Sequence, residues 1–380
     1  MPRLPDPTPG ERVLIKGRPL RFSFWPMHKG TRRFGLQSNL FAVDPWTLIR
    51  ERVRQRCPSS AVAEATSTIN QAADFFRSAQ LADISAARPL QLYYCFMNLV
   101  KSLILTKGAV PTFDQAQHGL SERINPGGVE LRDAFLTAFP SPDRQGKLQV
   151  FAELHRLLLN VNVAAGTAYK LPALVPQILP GHRLWAEAAG KQERFISIHD
   201  IRIMEATARR KLWIDLIFVA DDLTRFGITH KKLLDETGLA NQFREVKFGE
   251  ALDGRRLIRF AQMAKTDYTH RAADEVQQVV DALKSRIWVT INAAQPYRRY
   301  YVYLALPTEA NEILPQMLSI YAITYYLGSI TRYRPQHFQT LLASPYGPRI
   351  EEFITVQPLQ FVYLIASEFA EQEITKPALV

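Results

Sequence analysis

Cysteine is nearly absent: 380 residues hold two, Cys57 and Cys95. That excludes a disulfide framework and a four-cysteine zinc site, and it predicts reduced, buried thiols in a cytoplasmic protein. The eight histidines lie far apart and no H-E-x-x-H pair occurs, so no zinc-binding helix is expected. Neither G-x-x-x-x-G-K-S/T nor a strand-following G-x-G-x-x-G is present, which removes the common phosphate cradles; no cofactor is expected. Long apolar runs are also missing. The best, about 17 residues from Leu90, carries Asn98, Lys101 and Ser102, short of the roughly 20 apolar residues a bilayer needs, so no membrane partner is expected. The opening string MPRLPDPTPGER has proline and charge where a secretory signal needs an apolar stretch, so export by that route is not expected.

What is present is an ordinary globular composition, 47% hydrophobic and 22% charged, in a chain long enough to favour two lobes or one domain with a large insertion. The net charge of +11 is lopsided. Residues 1–60 hold 12 Lys or Arg against 4 Asp or Glu, +8, leaving +3 for the other 320. In this arm Arg12, Lys16, Arg18, Arg21, Lys29, Arg32 and Arg33 alternate with Phe22, Phe24, Trp25 and Phe34. Two readings stay open: an RNA-binding arm with phosphate contacts and stacking rings, or aromatics that pin the arm to the body while the basic groups stay solvated.

The periodicity predicts a basic aromatic arm over 1–44, helices over 45–190, an α+β insertion over 191–308 and closing helices over 309–380. The expected fold is mainly α with an α+β insertion, a helical bundle formed by N- and C-terminal segments around a small antiparallel sheet. Asp44-Pro45 reads as N-cap and N1 of one helix; Ser59 or Ser60 caps the next, to about Leu81; Arg88-Pro89 opens a third, closed by Gly108. A further helix is expected over 148–163 within an otherwise loose 109–190. Strands are expected at 195–198, 212–220, 286–292 and 297–306, with a helix at 271–284. Helices at 309–330, 336–342 and 359–373 complete the chain.

Among chemical motifs, Asp221-Asp222 after an apolar strand is a weak magnesium candidate with a solvated turn as the plain alternative; no metal is expected. Arg332 and His337 match the R-x4-6-H pattern of HEPN-type ribonucleases. An imidazole there takes the proton of a ribose 2′-hydroxyl while the guanidinium neutralises the phosphorane, without metal. In the strand 297–306, Tyr297, Arg298, Arg299, Tyr300 and Tyr301 alternate between faces, the residue types of an interface with a partner or a second copy.

Three blocks then resemble one bacterial family. Arg88-Pro89-Leu90-Gln91-Leu92-Tyr93-Tyr94 with Asn98-Leu99-Val100-Lys101, His118-Gly119-Leu120-Ser121, and Arg332-Tyr333-Arg334-Pro335 resemble blocks of the YaaC-like proteins, in the same order. At the position of His337 that family often carries a large aromatic. The resemblance implies a cytosolic regulatory or assembly protein of antiviral defence or purine-nucleotide metabolism, with a protein partner such as IMP dehydrogenase or another neighbouring gene product. From the residues themselves, Asn98 and Lys101 stand one turn apart on an apolar helix, where burial demands a partner. Tyr94, Asn98, Lys101, His118, Tyr333 and Arg334 are therefore the candidates for a ligand site or a buried polar network. A metal-independent ribonuclease using Arg332 and His337, and a non-catalytic nucleic-acid-binding module, are the alternatives.

Overall fold

The computed structural model describes residues 4–26, 39–83, 87–126, 128, 131–179 and 181–378. The chain divides into two compact units: Ala42–Gln192 with Asn311–Ala370, and Met1–Phe41 with Glu193–Ala310 and Glu371–Val380.

In the first unit helices start where local chemistry permits. Pro45–Arg56 opens with Asp44 accepting from the Trp46 N–H at 2.9 Å and Pro45 in the first turn. Val62–Leu81 follows, but Ser59 and Ser60 do not cap it; its N-cap is Ala61, with no side-chain bond. Arg88–Thr106 ends at Gly108, whose φ of +65° lets the Ala109 N–H return to the Ile104 carbonyl at 3.2 Å. This helix is central. Leu92, Phe96, Leu99 and Leu103 are buried against Val62–Leu81, Gln316–Tyr333 and Gly347–Ala370, and Phe96 stacks on Phe361 at 4.0 Å. Each such side chain contributes about 1.5–3 kcal/mol of burial.

Two features of the closing helices depart from expectation. The first begins at Gln316, with Pro315 as its N-cap, because residues 307–312 form a 3-10 turn. The last runs Gly347–Ala370 straight through Pro358, which is buried; tertiary packing on both sides outweighs the lost backbone bond. By length and composition this helix is apolar enough to cross a membrane, and it is mostly buried within the protein. The region expected to be loose contains Val150–Leu159, stopped by Asn160 at φ 54°, and an antiparallel sheet of Leu120–Ile124, Ala134–Ala138 and Ala168–Lys170.

The second unit is built on a seven-stranded sheet with the main order Glu11–Arg12, Asp200–Ala206, Lys211–Val219, Arg255–Gln262 and Phe243–Val246. A second sheet pairs Trp288–Ile291 with Arg298–Tyr303 and that strand with Phe195–Ile198. Glu373–Thr375 lies parallel to Asn39–Phe41.

Among the described residues there are thus twelve α-helices and five sheets, and the protein is mixed α/β rather than a mainly helical bundle around one small sheet. The error has a physical source. Asp200–Ala206 and Arg255–Gln262 carry Arg202, Arg255, Arg256 and Arg259, charges that hide a strand's period. Their cost is met in three dimensions: Arg259 pairs at 2.5 Å with Asp215, which is fully buried, and Arg202 reaches both Asp200 and Glu250.

Candidate functional site

The candidate site is built on one face of Arg88–Thr106. Tyr93, Met97 and Lys101 follow each other at four-residue spacing, and Tyr94 and Asn98 flank them, so all reach one side of the helix. Gln316–Tyr333 packs close enough to close this face because of Gly328. A Cβ there would meet the Tyr93 Cβ at 2.9 Å and the Pro89 carbonyl oxygen at 3.3 Å. That approach brings the Tyr325 ring to 5.2 Å and the Tyr321 ring to 6.1 Å from Tyr93.

His118 enters from the loop before Leu120–Ile124. Its carbonyl accepts from the Phe151 N–H at 3.2 Å, and Gly119 turns the chain at φ +83°, where a Cβ would press on Phe151. The imidazole Nδ1 meets the Tyr93 hydroxyl, which also lies 3.6 Å from the Met97 sulfur. From Gln316–Tyr333, Arg332 donates Nη1 to the Tyr94 hydroxyl at 2.9 Å, and just beyond the helix Arg334 pairs with Glu122 at 3.0 Å. Glu122 also accepts from Tyr325 at 3.4 Å. Asn98 is buried and gives its amide to Gln71 at 2.6 Å.

The electrostatics of this cluster point one way. Burial lowers the Lys101 ammonium below its ordinary value, with Glu64 pulling back; Glu64 itself accepts the Phe113 N–H. His118 has an exposed edge, but its ring backs onto Tyr93 and Tyr325. Loss of solvent, then Lys101, then Arg332 lower its pKa, so the imidazole is neutral at pH 7. Tyr93, Tyr321 and Tyr325 are all pushed up, first by burial, and remain protonated donors. Among the described residues neither Lys101 nor Arg332 has a carboxylate within ion-pair distance. Two cations within electrostatic range of one neutral imidazole suit an anion.

Of the residues expected to form a ligand site or polar network, Tyr94 meets Arg332, His118 meets Tyr93, and Arg334 shares Glu122 with Tyr325, while Lys101 lies within electrostatic range of His118 and Asn98 bonds Gln71 instead. Tyr333 stands apart, 64% exposed, with the Arg332 guanidinium 4.9 Å over its ring. His337 lies in the first turn of Pro335–Ala343, its N–H on the Arg334 carbonyl at 2.9 Å, and Arg332 acts electrostatically on the imidazole of His118. Glu122, Tyr321 and Tyr325 were not expected. Glu122 sits in a five-residue strand within the stretch expected to be loose, and the tyrosines lie buried on the apolar helix Gln316–Tyr333.

The hairpin residues belong to the second unit. Arg298 donates to the Ile374 carbonyl at 3.0 Å and lies 5.7 Å from the Trp25 ring; Tyr300 donates to Glu373 at 2.5 Å and meets Phe22 edge-on at 5.1 Å. Tyr297 meets Phe41 at 4.9 Å, Tyr301 meets Phe195 at 6.4 Å, and Arg299 is exposed. The chain's own ends thus cover the Arg298 and Tyr300 side chains. Phe22, Phe24 and Trp25 are buried, while Lys16, Arg18 and Arg21 are exposed; Lys29, Arg32, Arg33 and Phe34 lie outside the described residues. Asp221 and Asp222 occupy the first turn of Ala220–Arg225, where acidic groups favour the helix dipole. Among the described residues no three His, Cys, Asp or Glu side chains gather as a metal site requires.

Fold and site define a mixed α/β protein with a tyrosine-lined cationic cluster. The YaaC-like protein family model matches residues 39–369, and the chain belongs to that family. Neither the curated proteins nor the solved structures return a match.

Proposed function

We propose that this chain is a noncatalytic regulatory protein that binds a phosphate-bearing small ligand, a nucleotide, at Lys101, His118 and Arg332, and passes that state to a protein partner. The observation that supports it is that His118, bonded to Tyr93, lies within electrostatic range of both Lys101 and Arg332, neither of which has a carboxylate at ion-pair distance among the described residues. Lys101 places its charge beside the Tyr93 face, Arg332 is oriented by Tyr94, and His118 offers an uncharged imidazole that gains a proton as an anion arrives. The settings implied by the resemblance, antiviral defence or purine-nucleotide metabolism, and a neighbouring gene product as partner belong to the same proposal.

Calorimetry with guanosine and adenosine monophosphates tests it. Lys101→Met and Arg332→Met are each expected to weaken binding about ten- to a hundredfold, the worth of one charge-assisted hydrogen bond. Neither removes a partner that a buried carboxylate needs, so both variants fold. No saturable binding by the unaltered protein, or unchanged binding by both variants, refutes the proposal.

A second reading, cleavage of RNA without metal, is favoured by the imidazole beside Arg332. His118 in place of His337 would then be the general base. Incubation with RNA in a chelator tests it: loss of cleavage in His118→Ala but not in His337→Phe supports this version. Loss in His337→Phe alone supports the Arg332–His337 pair.

A further inference from the structure

The sheet unit gathers a second set of cations, which the sequence disperses. Arg209 and Arg210 lie in the turn that joins Asp200–Ala206 to Lys211–Val219, with Arg210 at φ 48° and its N–H on the Thr207 carbonyl at 3.2 Å. Lys211 heads the next strand opposite Asp267. The turn at residues 263–265 is held beside Phe243–Val246 by the Met263 N–H on the Gln242 carbonyl at 2.8 Å. Arg244 and Lys265 thereby join the same edge. Lys265 sits 5.3 Å from the ring of Trp213; burial lowers its pKa first, and Arg244, Arg209 and Lys211 lower it further, against Asp215. The register places these side chains together: Arg244 stands opposite Ala261 and Ala261 opposite Asp215, with Trp213 and Lys211 following at two-residue steps on the same face.

Most of that charge is uncompensated. Lys211 pairs with Asp267 at 2.6 Å, and Arg210 donates to the Thr269 carbonyl at 2.9 Å. Among the described residues Arg209, Arg244 and Lys265 have no carboxylate partner. Asp215, the nearest buried acid, is held by Arg259. Arg209, Arg210 and Arg244 are exposed and Lys211 and Lys265 half-buried. Of the nearby rings, Trp213 and Tyr268 are buried and present no face for a base, and the imidazole of His270, next to Thr269, is exposed.

We propose that Arg209, Arg210, Lys211, Arg244 and Lys265 form a docking surface for the phosphate backbone of double-stranded nucleic acid. Unmatched cations on one sheet edge fit phosphates, and with Trp213 and Tyr268 buried the exposed His270 imidazole is a single small ring, which favours a duplex over a single strand, whose successive unstacked bases need several stacking partners.

The test is fluorescence anisotropy of a labelled 30-base-pair duplex with the full chain at several salt concentrations. Three to five neutralised phosphates give a log–log salt slope of about −2.7 to −4.5, a loss of roughly 40- to 500-fold between about 50 and 200 mM salt. Arg244→Glu with Lys265→Glu is expected to lower affinity at least about tenfold and make the slope shallower by about 2. Arg244→Gln with Lys265→Gln, which adds no negative charge beside the sheet, is expected to show the same direction with an unchanged melting curve. The proposal is overturned if the protein does not bind the duplex at 50 mM salt or binds a single strand of equal length more tightly. Equal affinity of both double variants and the unaltered protein also overturns it, as does binding only to anionic phosphatidylserine vesicles.

Discussion

Gly328→Ala isolates the contact that creates the candidate site. In an exposed helix the change stabilises by about 1 kcal/mol, because alanine loses less backbone entropy. Here the new methyl would stand 2.9 Å from the Tyr93 Cβ and 3.3 Å from the Pro89 carbonyl oxygen. Neither is the end of a flexible side chain: a Cβ and a carbonyl move only with their helix. Separating two packed helices by a few tenths of an ångström costs about 1–3 kcal/mol, so the net effect is a loss of up to about 2 kcal/mol. Urea unfolding monitored by near-ultraviolet circular dichroism, sensitive to the tyrosine cluster, measures it. The same displacement moves Tyr93 from His118, so nucleotide binding should weaken along with stability. A more stable Gly328→Ala protein with undiminished binding would refute the claim that close approach at this glycine sets the site.

The His118 imidazole, lowered below its ordinary 6.5, should show this by proton NMR. Because the folded state prefers the neutral ring, its stability contribution is complete above pH 6.5 and is lost as pH falls through the folded pKa. Phosphate should raise that pKa; a free-protein value at or above 6.5 would contradict the assignment. Asp215→Ala strands Arg259 in the sheet and should cost about 3–5 kcal/mol by thermal melting, whereas Asp215→Leu with Arg259→Met should recover most of it. Tyr300→Phe removes the hydroxyl that holds Glu373 and should cost about 1–3 kcal/mol and speed amide hydrogen exchange in Glu373–Thr375. An unchanged exchange rate there would mean that Tyr300 does not fasten this strand.

Local chemistry wrote much of the helical structure into the sequence. Asp44-Pro45, Arg88-Pro89, Gly108 and Pro335 act through bonds within a few residues, and the helices begin and end beside them. The strands Phe195–Ile198, Lys211–Val219, Trp288–Ile291 and Arg298–Tyr303 were legible for the same reason, β-branched and aromatic runs that need no distant partner to be recognised. The residues of the candidate site were also legible singly: a lysine and an asparagine on an apolar helix, and a histidine and two arginines near breaks. Tertiary structure decided what those signals could not. It compensated Arg202 and Arg259 with Asp200, Glu250 and Asp215, turning charge-broken segments into central strands and the expected bundle into a mixed α/β protein. It carried a helix through Pro358, set Glu373–Thr375 beside Asn39–Phe41, and placed Glu122, Tyr321 and Tyr325 around Tyr93 and Arg334. A cap or a turn is settled by neighbours in sequence. The worth of a buried charge, an interrupted helix or a cationic patch depends on groups far away along the chain, and only the folded arrangement brings them into range.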